Sequence, residues 1–369
     1  MTFKNTVKII HRWLGLTSGL IVFIVSITGC IFCFHDEIKD LTRDWRKVET
    51  QEKAYVLPTV LQEKAINLVP NSTVSMVAYA GRDRSAYAYS TNKDGSYFVY
   101  FNPYSGEYLH TEKLEDDFFI IVEYIHLYLL LPAEIGKHIV AISTLIFIAM
   151  MIMGILLWWP KRKSDRKRSF KIKWNAKWRR VNYDLHNVFG FYIAAVATII
   201  AITGLTFSYE WVSDTLYYTA NLGGDRAKES QAPIIDTTKF NQVSMHAMNK
   251  AMTETFKIEP DANMFFVMVP TAKNQSILTG AYPHSLRFDH QSNYHFHPYD
   301  ASLLKKEQYA QKSAGMKLIE MNYGIHTGQI LNLPGKIIAF FTSLLAASLP
   351  ITGFIMWWGR KNKKSKKKS

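Results

Sequence analysis

The chain has 369 residues, of which 48% are hydrophobic and 14% aromatic, and its formal net charge is +14. This apolar share is high for a soluble protein with 44 Lys and Arg residues. Three short stretches, residues 4–12, 160–182 and 360–369, hold 21 of those basic residues, and the rest of the chain is mildly acidic. The distribution argues against a nucleic-acid-binding domain and is typical of the basic flanks of a membrane protein.

Four uncharged, apolar segments are each long enough to cross a hydrocarbon core of about 30 Å. We predict transmembrane helices at residues 13–34, 139–159, 186–209 and 337–358. The basic flanks place three segments in the cytoplasm, namely residues 1–12, 160–185 and 359–369. The chain is therefore predicted to be a multi-pass membrane protein in contact with membrane lipid, and the membrane is the inner one if the source is a Gram-negative bacterium.

The two long segments between the helices, residues 35–124 and 210–324, are then periplasmic, and each is predicted to be a small α+β module. In the first, apolar spacing predicts a helix over 58–69 and strands over 74–80, 86–90 and 97–101. In the second, it predicts a helix over 237–256 and strands over 264–269, 277–281 and 294–297.

The first and third predicted helices open with the same pattern. A Gly follows a His by four residues, and an Ile-Thr-Gly tripeptide begins sixteen residues after that His. Because positions i and i+4 share a helix face, each His has a patch without a side chain one turn along. The residues are His11, Gly15 and Gly29 in the first helix, and His186, Gly190 and Gly204 in the third.

A second pattern surrounds the second and fourth predicted helices. An Ile-His dipeptide lies in each of the segments 125–138 and 325–336, and each following helix ends in Gly-x-x-x-Trp-Trp. The chain is therefore predicted to be a tandem duplication whose halves are related by an axis along the membrane normal. The residues are His126, Gly154 and Trp158-Trp159 in the first half, and His326, Gly353 and Trp357-Trp358 in the second.

The four repeated histidines point to a cofactor. His11 and His186 lie at the cytoplasmic ends of their helices, and His126 and His326 lie on the outer side. Two neutral imidazoles that face each other can hold the iron of a six-coordinate b-type haem. No Cys-x-x-Cys-His motif is present, so two non-covalent haems are predicted. Six glycines would give the macrocycles room: Gly15, Gly190, Gly154 and Gly353 at the inner pair, and Gly29 and Gly204 at the outer pair.

The alternative is that the histidines meet lipid headgroups and the glycines only serve helix packing. Four paired positions favour haem over this alternative. His35 and His138 have no repeat partner, so we expect them to be structural. Cys30 and Cys33 are expected to be small packing residues. A further cluster is expected to be solvated surface, with a metal or siderophore contact as the alternative: His284, His290, His295 and His297.

The order of these motifs resembles the PepSY-associated transmembrane family. The resemblance is carried by His11-Arg12-Trp13-Leu14-Gly15, the late Thr28-Gly29, the Asn102–Glu107 turn, and the Ile-His, Gly-Lys and Gly-x-x-x-Trp-Trp elements, and it covers nearly the whole chain. It implies a four-helix membrane core with periplasmic PepSY modules. The family includes iron-regulated inner-membrane proteins and haem-containing ferric-siderophore reductases.

Three functions are compatible with these features. The first is a di-haem protein that transfers electrons outward and reduces ferric iron, held by a siderophore, in the periplasm. Because no nucleotide-binding motif follows a strand, its electrons would come from quinol or from a separate reductase. The second is a non-enzymatic PepSY protein that binds a periplasmic partner such as a peptidase, and the third is an accessory of siderophore transport. Only the first requires four histidines.

The three basic flanks generate a topology prediction. Reporter fusions at Lys173 and at the C-terminus should give cytoplasmic signals, and fusions at Gly95 and Gly280 should give periplasmic signals. An alkaline phosphatase and fluorescent protein reporter pair measures both sides. A periplasmic C-terminus would contradict the predicted duplication.

Overall fold

A computed structural model describes residues 2–160, 166–236, 244–272 and 274–365. The chain divides into two compact units. We call the first, Met1–Phe34, Ile121–Val212 and Ile325–Ser369, the helical unit. We call the second, His35–Ile120 and Ser213–Gly324, the sheet unit.

Within the described residues, the chain forms helices and strands in the following order. The helices are α1 (Phe3–Phe32), α2 (His35–Thr42), α3 (Pro58–Leu68), α4 (Phe118–Tyr128), α5 (Ala133–Trp158), α6 (Arg166–Ser169), α7 (Trp178–Thr206), α8 (Glu210–Asn221), α9 (Arg226–Glu229), α10 (Met245–Ile258), α11 (Ala314–Glu320), α12 (Asn322–Thr327) and α13 (Asn332–Ser365). The strands are β1 (Thr73–Tyr79), β2 (Ala86–Asn92), β3 (Gly95–Phe101), β4 (Tyr108–Lys113), β5 (Met264–Met268), β6 (Ile277–Tyr282), β7 (Ser292–Phe296) and β8 (Leu303–Glu307).

The helical unit contains the membrane-spanning segments. Over the part of the chain that the structure describes, four stretches are long and apolar enough to cross a membrane: Phe3–Phe32, Ala133–Trp158, Trp178–Thr206 and Gln329–Gly359. Helix α1 packs against α5 and α13, and α7 packs against the same two helices. Helices α1 and α7 begin several residues before the predicted apolar segments, because exposed Lys and Arg side chains are compatible with helix.

The segments predicted to carry His126 and His326 outside the membrane helices are themselves partly helical. His126 lies in α4 and His326 in α12, each just before a long helix. The repeated Gly of the Gly-Lys pair explains how the chain turns there. A Cβ atom on Gly136 would lie 2.1 Å from the Tyr128 carbonyl oxygen, and one on Gly335 would lie 2.0 Å from that of Gly328. Only glycine permits so close an approach of two backbones.

The sheet unit is built on one antiparallel sheet. Within the described residues its eight strands follow the order β4-β3-β2-β1-β5-β6-β7-β8, so that strands from both halves of the chain join at β1 and β5. Helices α3 and α10 supply Leu61, Ala65 and Met252 to a core that covers one face. The predicted inner strands and the helix over 58–69 are present. The edge strands β4 and β8 were not predicted, because their polar sequences lack an alternating apolar pattern.

The helix predicted over 237–256 falls partly on residues 237–243, which lie outside the described residues. Helix α10 begins at Met245, where the Ser244 side chain accepts a hydrogen bond from the Ala247 amide, and it ends at Ile258. The predicted basic loop and C-terminal tail likewise include residues 161–165 and 366–369, which lie outside the described residues.

A buried ion cluster ties α2 to β4 within the sheet unit. Asp117, with a side chain 1% exposed, lies 3.2 Å from the Lys39 ammonium and also contacts Arg43. Arg43 in turn pairs with Glu112. Burial by itself raises the pKa of Asp117, but the hydrogen bond with Glu112, the charge of Lys39 and the hydrogen bonds with the Ile120 amide and Arg43 outweigh it and hold that pKa well below its usual range.

The cluster predicts a pH-dependent stability. Asp117→Asn should lower the free energy of unfolding at pH 7 by about 3 kcal/mol, because it removes the largely buried carboxylate that pairs with Lys39 and leaves Arg43 with Glu112 alone. Since the folded pKa is lowered, the carboxylate stabilises the protein above about pH 4 and the difference from the variant should shrink as the pH falls further. Denaturant unfolding in detergent, followed by Trp fluorescence, measures both effects. The exposed neighbour Asp116→Asn should change stability by less than about 0.5 kcal/mol, and an equal loss in both variants would contradict the prediction.

Candidate cofactor site: two histidine pairs

The structure brings the four repeated histidines together as two pairs. The ring centroids of His11 and His186 lie 6.4 Å apart, with an angle of 90° between the ring planes. Those of His126 and His326 lie 6.1 Å apart, with an angle of 70°. We call these the His11 pair and the His126 pair. Each pair joins residues from the two halves of the chain.

The two pairs lie far apart along the helices. His11 is near the beginning of α1, whereas Gly29, eighteen residues later on the same helix, lies against the ring of His126. At the rise of an α-helix this separation corresponds to roughly 27 Å. The pairs therefore lie near opposite ends of the membrane-spanning helices, whose apolar length matches a hydrocarbon core of about 30 Å.

A glycine on a neighbouring helix makes room for each imidazole. The distances from an added Cβ atom to the nearest ring carbon show how closely each ring lies. They are 3.3 Å for Gly29 to His126, 3.0 Å for Gly204 to His326, 3.4 Å for Gly353 to His186 and 3.8 Å for Gly154 to His11. All four glycines therefore lie beside a histidine ring, and their contact with a cofactor stays a prediction.

The outer rings are fixed by the same two hydrogen bonds. Nδ1 of His126 lies 2.9 Å from the Val25 carbonyl oxygen and 3.1 Å from the Thr28 hydroxyl. Nδ1 of His326 lies at the same distances, 2.9 and 3.1 Å, from the Ile200 carbonyl and the Thr203 hydroxyl. In both cases the carbonyl comes four residues, and the hydroxyl one residue, before the glycine that faces the ring.

These bonds determine which nitrogen carries the proton. A carbonyl oxygen only accepts hydrogen bonds, so Nδ1 of His126 must be the donor. The Thr28 hydroxyl donates to the carbonyls of Ile24 and Val25 at 2.8 and 3.0 Å, which leaves its oxygen to accept from the imidazole. The proton on Nδ1 leaves a lone pair on Nε2. This is the arrangement that metal-binding histidines have in proteins, with the second nitrogen held by a backbone or side-chain acceptor.

The two members of the His11 pair differ in this respect. Nδ1 of His186 lies 2.9 Å from the Thr352 hydroxyl, which donates to the Ser348 carbonyl in turn. Nδ1 of His11 is buried, and His11 has only the Met150 backbone carbonyl beside it, outside normal hydrogen-bond geometry, with no hydroxyl acceptor among the described residues. The residue before its facing glycine is Met153 where the other three sites have Thr.

The threonines were not identified from the sequence. In the first and third helices the Ile-Thr-Gly tripeptide indicates a repeat and a family resemblance, but not a hydrogen-bonding role for its threonine. Its third copy at 351–353 is the signal that would have shown a general rule, namely that Thr and Gly together receive a histidine from a neighbouring helix.

The cavities beside the two pairs differ in size. The His11 pair lines a cavity of about 510 Å³, together with Gly15, Gly154, Gly190 and Gly353. The His126 pair lines one of about 100 Å³ that includes Gly204. Gly15 and Gly190 do not meet the rings themselves. A Cβ atom on Gly15 would lie 2.9 Å from the terminal methyl of Met150, and one on Gly190 would lie 3.8 Å from Leu349.

The pair geometry suits one metal ion between two imidazoles. When each metal–nitrogen bond is about 2.0 Å and the rings point toward each other, the ring centroids lie about 6 Å apart. Over the described part of the chain, no group of three or more His, Cys, Asp or Glu residues could hold a metal ion. Each pair would supply two protein ligands to a metal-containing cofactor.

Several of the other histidines have partners outside the two pairs. His138 in the helical unit bonds the Tyr209 hydroxyl at 3.2 Å, and His35 in the sheet unit pairs with Asp36 at 3.3 Å. In the cluster expected to be solvated, His295 is instead buried. Its ring nitrogens have polar partners there: the Ser276 hydroxyl lies 2.8 Å from Nδ1, and Glu307 lies 3.8 Å from Nε2. His290 pairs with Asp289 at 3.0 Å and is partly exposed.

The two cysteines are both buried in the helical unit and free of disulfides. The Cys30 sulfur lies 3.4 Å from the Phe340 carbonyl on α13, so it contributes to the contact between α1 and α13. This position fits the expected packing role.

Comparison with known families agrees with this architecture. The sequence model described as PepSY-associated TM region matches residues 9–360. The chain belongs to this family. The match covers the first candidate membrane span from residue 9 onward and the other three completely, and it includes both histidine pairs. Membership of the PepSY-associated TM family identifies a membrane protein. No curated protein matches the chain.

The glycine contacts generate a graded prediction. Alanine at each facing glycine should displace the ring more where the added Cβ comes closer, so the effect should fall in the order Gly204, Gly29, Gly353, Gly154. Gly204→Ala should lower the haem-to-protein ratio most, since overpacking costs about 1–3 kcal/mol. Gly359→Ala, with nothing within 4 Å of its Cβ, is the matched control. Absorbance of the purified variants measures the ratio, and equal values across the series would contradict the role of these glycines.

Proposed function

We propose that the protein is a di-haem b-type electron-transfer protein of the bacterial inner membrane, which reduces ferric iron bound to a siderophore on the periplasmic side. The observation that carries the proposal is the presence of two histidine pairs at opposite ends of the spanning helices, with ring centroids 6.4 and 6.1 Å apart. Histidines that only met lipid headgroups would not need acceptors on a neighbouring helix, which His126 and His326 have.

His11 and His186 would hold the iron of one haem, and His126 and His326 that of the other. Bound haem supplies one-electron oxidation and reduction. The chain's own contribution is to present neutral imidazoles. The Val25 and Ile200 carbonyls and the three threonine hydroxyls keep the proton on Nδ1, which makes Nε2 available and raises its basicity.

The cavity volumes support a bound haem at the His11 pair more strongly than at the His126 pair. The cavity of about 510 Å³ at the His11 pair lies within the range of cofactor pockets. At the His126 pair, with about 100 Å³, the neighbouring side chains must move apart to admit a macrocycle, so the argument there rests on the ligand arrangement.

The proposed orientation sets the direction of electron flow. If the basic flanks lie in the cytoplasm, the His11 pair is on the cytoplasmic side and the His126 pair on the periplasmic side. Electrons would then travel outward, from quinol or a separate reductase to the substrate. A tandem duplication about an axis along the membrane normal accounts for the pairing, because it brings equivalent residues of the two halves face to face.

Reduction is a chemically reasonable route to iron release. Hard oxygen donors, such as those of many chelators, prefer Fe(III), so conversion to Fe(II) weakens the chelator's hold. In this proposal the sheet unit lies in the periplasm, where ferric chelates arrive.

Paired substitutions test the proposal. His11→Ala with His186→Ala, and His126→Ala with His326→Ala, should each halve the haem content and abolish reduction of a ferric hydroxamate by the full-length protein in liposomes. Haem is measured from the reduced absorption bands, and ferrous iron from a Fe(II)-specific dye. His138→Ala, in the same unit but bonded to Tyr209, should keep both haems and full activity.

Two results would contradict the proposal. One is a wild-type protein that folds and purifies without haem, which would favour the non-redox alternatives of partner binding or transport. The other is full haem content in both paired variants, which would mean that the ligands lie elsewhere.

A further inference from the structure

The four histidines are not held equally, and the exception is His11. His126, His186 and His326 each bond a threonine hydroxyl through Nδ1, at 3.1, 2.9 and 3.1 Å. His11 has no hydroxyl acceptor: its contact with the Met150 backbone carbonyl falls outside normal hydrogen-bond geometry, and its buried Nδ1 has no other described partner. Met153 occupies the position equivalent to the threonines, and a thioether is at best a weak acceptor.

A second contact stabilises the surroundings of His186, the other member of the His11 pair. The Asn182 side chain, 1% exposed, donates a hydrogen bond of 3.0 Å to the Thr352 carbonyl and so ties α7 to α13 beside His186. Asn182 comes four residues before His186. The residue four before His11 is Val7, which cannot form such a bond.

Space for movement exists on the same side. His11 lines the cavity of about 510 Å³, whereas the outer pair lines one of about 100 Å³. The nearest neighbour of Gly15, one turn from His11, is the flexible end of Met150. A methionine side chain adapts its shape readily, so the space beside Gly15 is deformable.

We infer that His11 is the displaceable ligand among the four histidines, so that the His11–His186 site binds a small neutral ligand of ferrous haem while the His126–His326 site does not. The inference rests on the proposed function, since it concerns a site that holds haem. It adds a ligand-binding site to a protein otherwise described as an electron carrier.

The exchange involves no redox step. The bond from the His11 nitrogen to ferrous iron breaks, a bond from iron to the carbon atom of carbon monoxide forms, and no proton or electron moves. The released imidazole stays in the cavity. Anchoring Nδ1 of His11 should therefore oppose binding of carbon monoxide, because it stabilises the competing state in which His11 is the ligand.

Two variants at one position isolate the hydrogen bond. Met153→Thr supplies a hydroxyl acceptor for His11. Met153→Val is the control, because valine has nearly the shape of threonine but no hydroxyl. In the dithionite-reduced full-length protein, the carbon monoxide concentration at half-saturation should be about three- to tenfold higher for Met153→Thr than for Met153→Val. Thr352→Val, which frees His186 in the same pair, should lower it relative to the wild type.

The outcomes separate the inference from the proposed function. In the wild type, carbon monoxide should shift the absorption of about half of the haem, and the His126→Ala, His326→Ala double variant should keep that response. Haem that binds no carbon monoxide, a response lost in the double variant, or equal half-saturation in the two Met153 variants would overturn the inference while leaving the di-haem proposal intact. A protein without haem would overturn the proposed function itself.

Discussion

The arrangement of the membrane helices depends on how a buried imidazole satisfies its N–H group where no water is available. Three histidines donate to acceptors on a neighbouring helix, within one turn of a glycine that leaves space for the ring. An unpaired donor there would cost several kcal/mol. The contact therefore fixes the rotation and the depth of two helices at once. Because the equivalent contact recurs in both halves of the chain, the histidines meet in pairs.

Much of this could be predicted from the sequence. Uncharged length identified the spanning helices, and identical spacing in the two halves identified His11 with His186 and His126 with His326 as partners. The threonine anchors could not be derived in the same way, since a Thr within an apolar helix ordinarily bonds its own backbone, as Thr144 does. The sequence also does not predict that strands from both halves join in one sheet through β1 and β5. Strand pairing between distant segments leaves no local pattern in the sequence.

The two pairs are equivalent in ligand type and different in surroundings. Each outer ring has two hydrogen-bond partners at Nδ1 and lines a small cavity. In the inner pair, His186 bonds a threonine hydroxyl, whereas His11 has no hydroxyl acceptor and lies beside a larger cavity. Family membership accounts for the membrane architecture and says nothing of this difference. The difference arises from a few side chains, chiefly Met153 in place of Thr and Val7 in place of Asn. Two sites built on one plan can thus acquire distinct chemical properties.

The central claim is that each histidine pair is a ligand pair for one haem. The most direct measurement is electron paramagnetic resonance of the oxidised full-length protein, combined with a haem-to-protein ratio. The account predicts two protohaem molecules per chain and two low-spin ferric signals typical of bis-imidazole ligation. A ratio near zero in protein from haem-sufficient cells, or high-spin signals only, would contradict it.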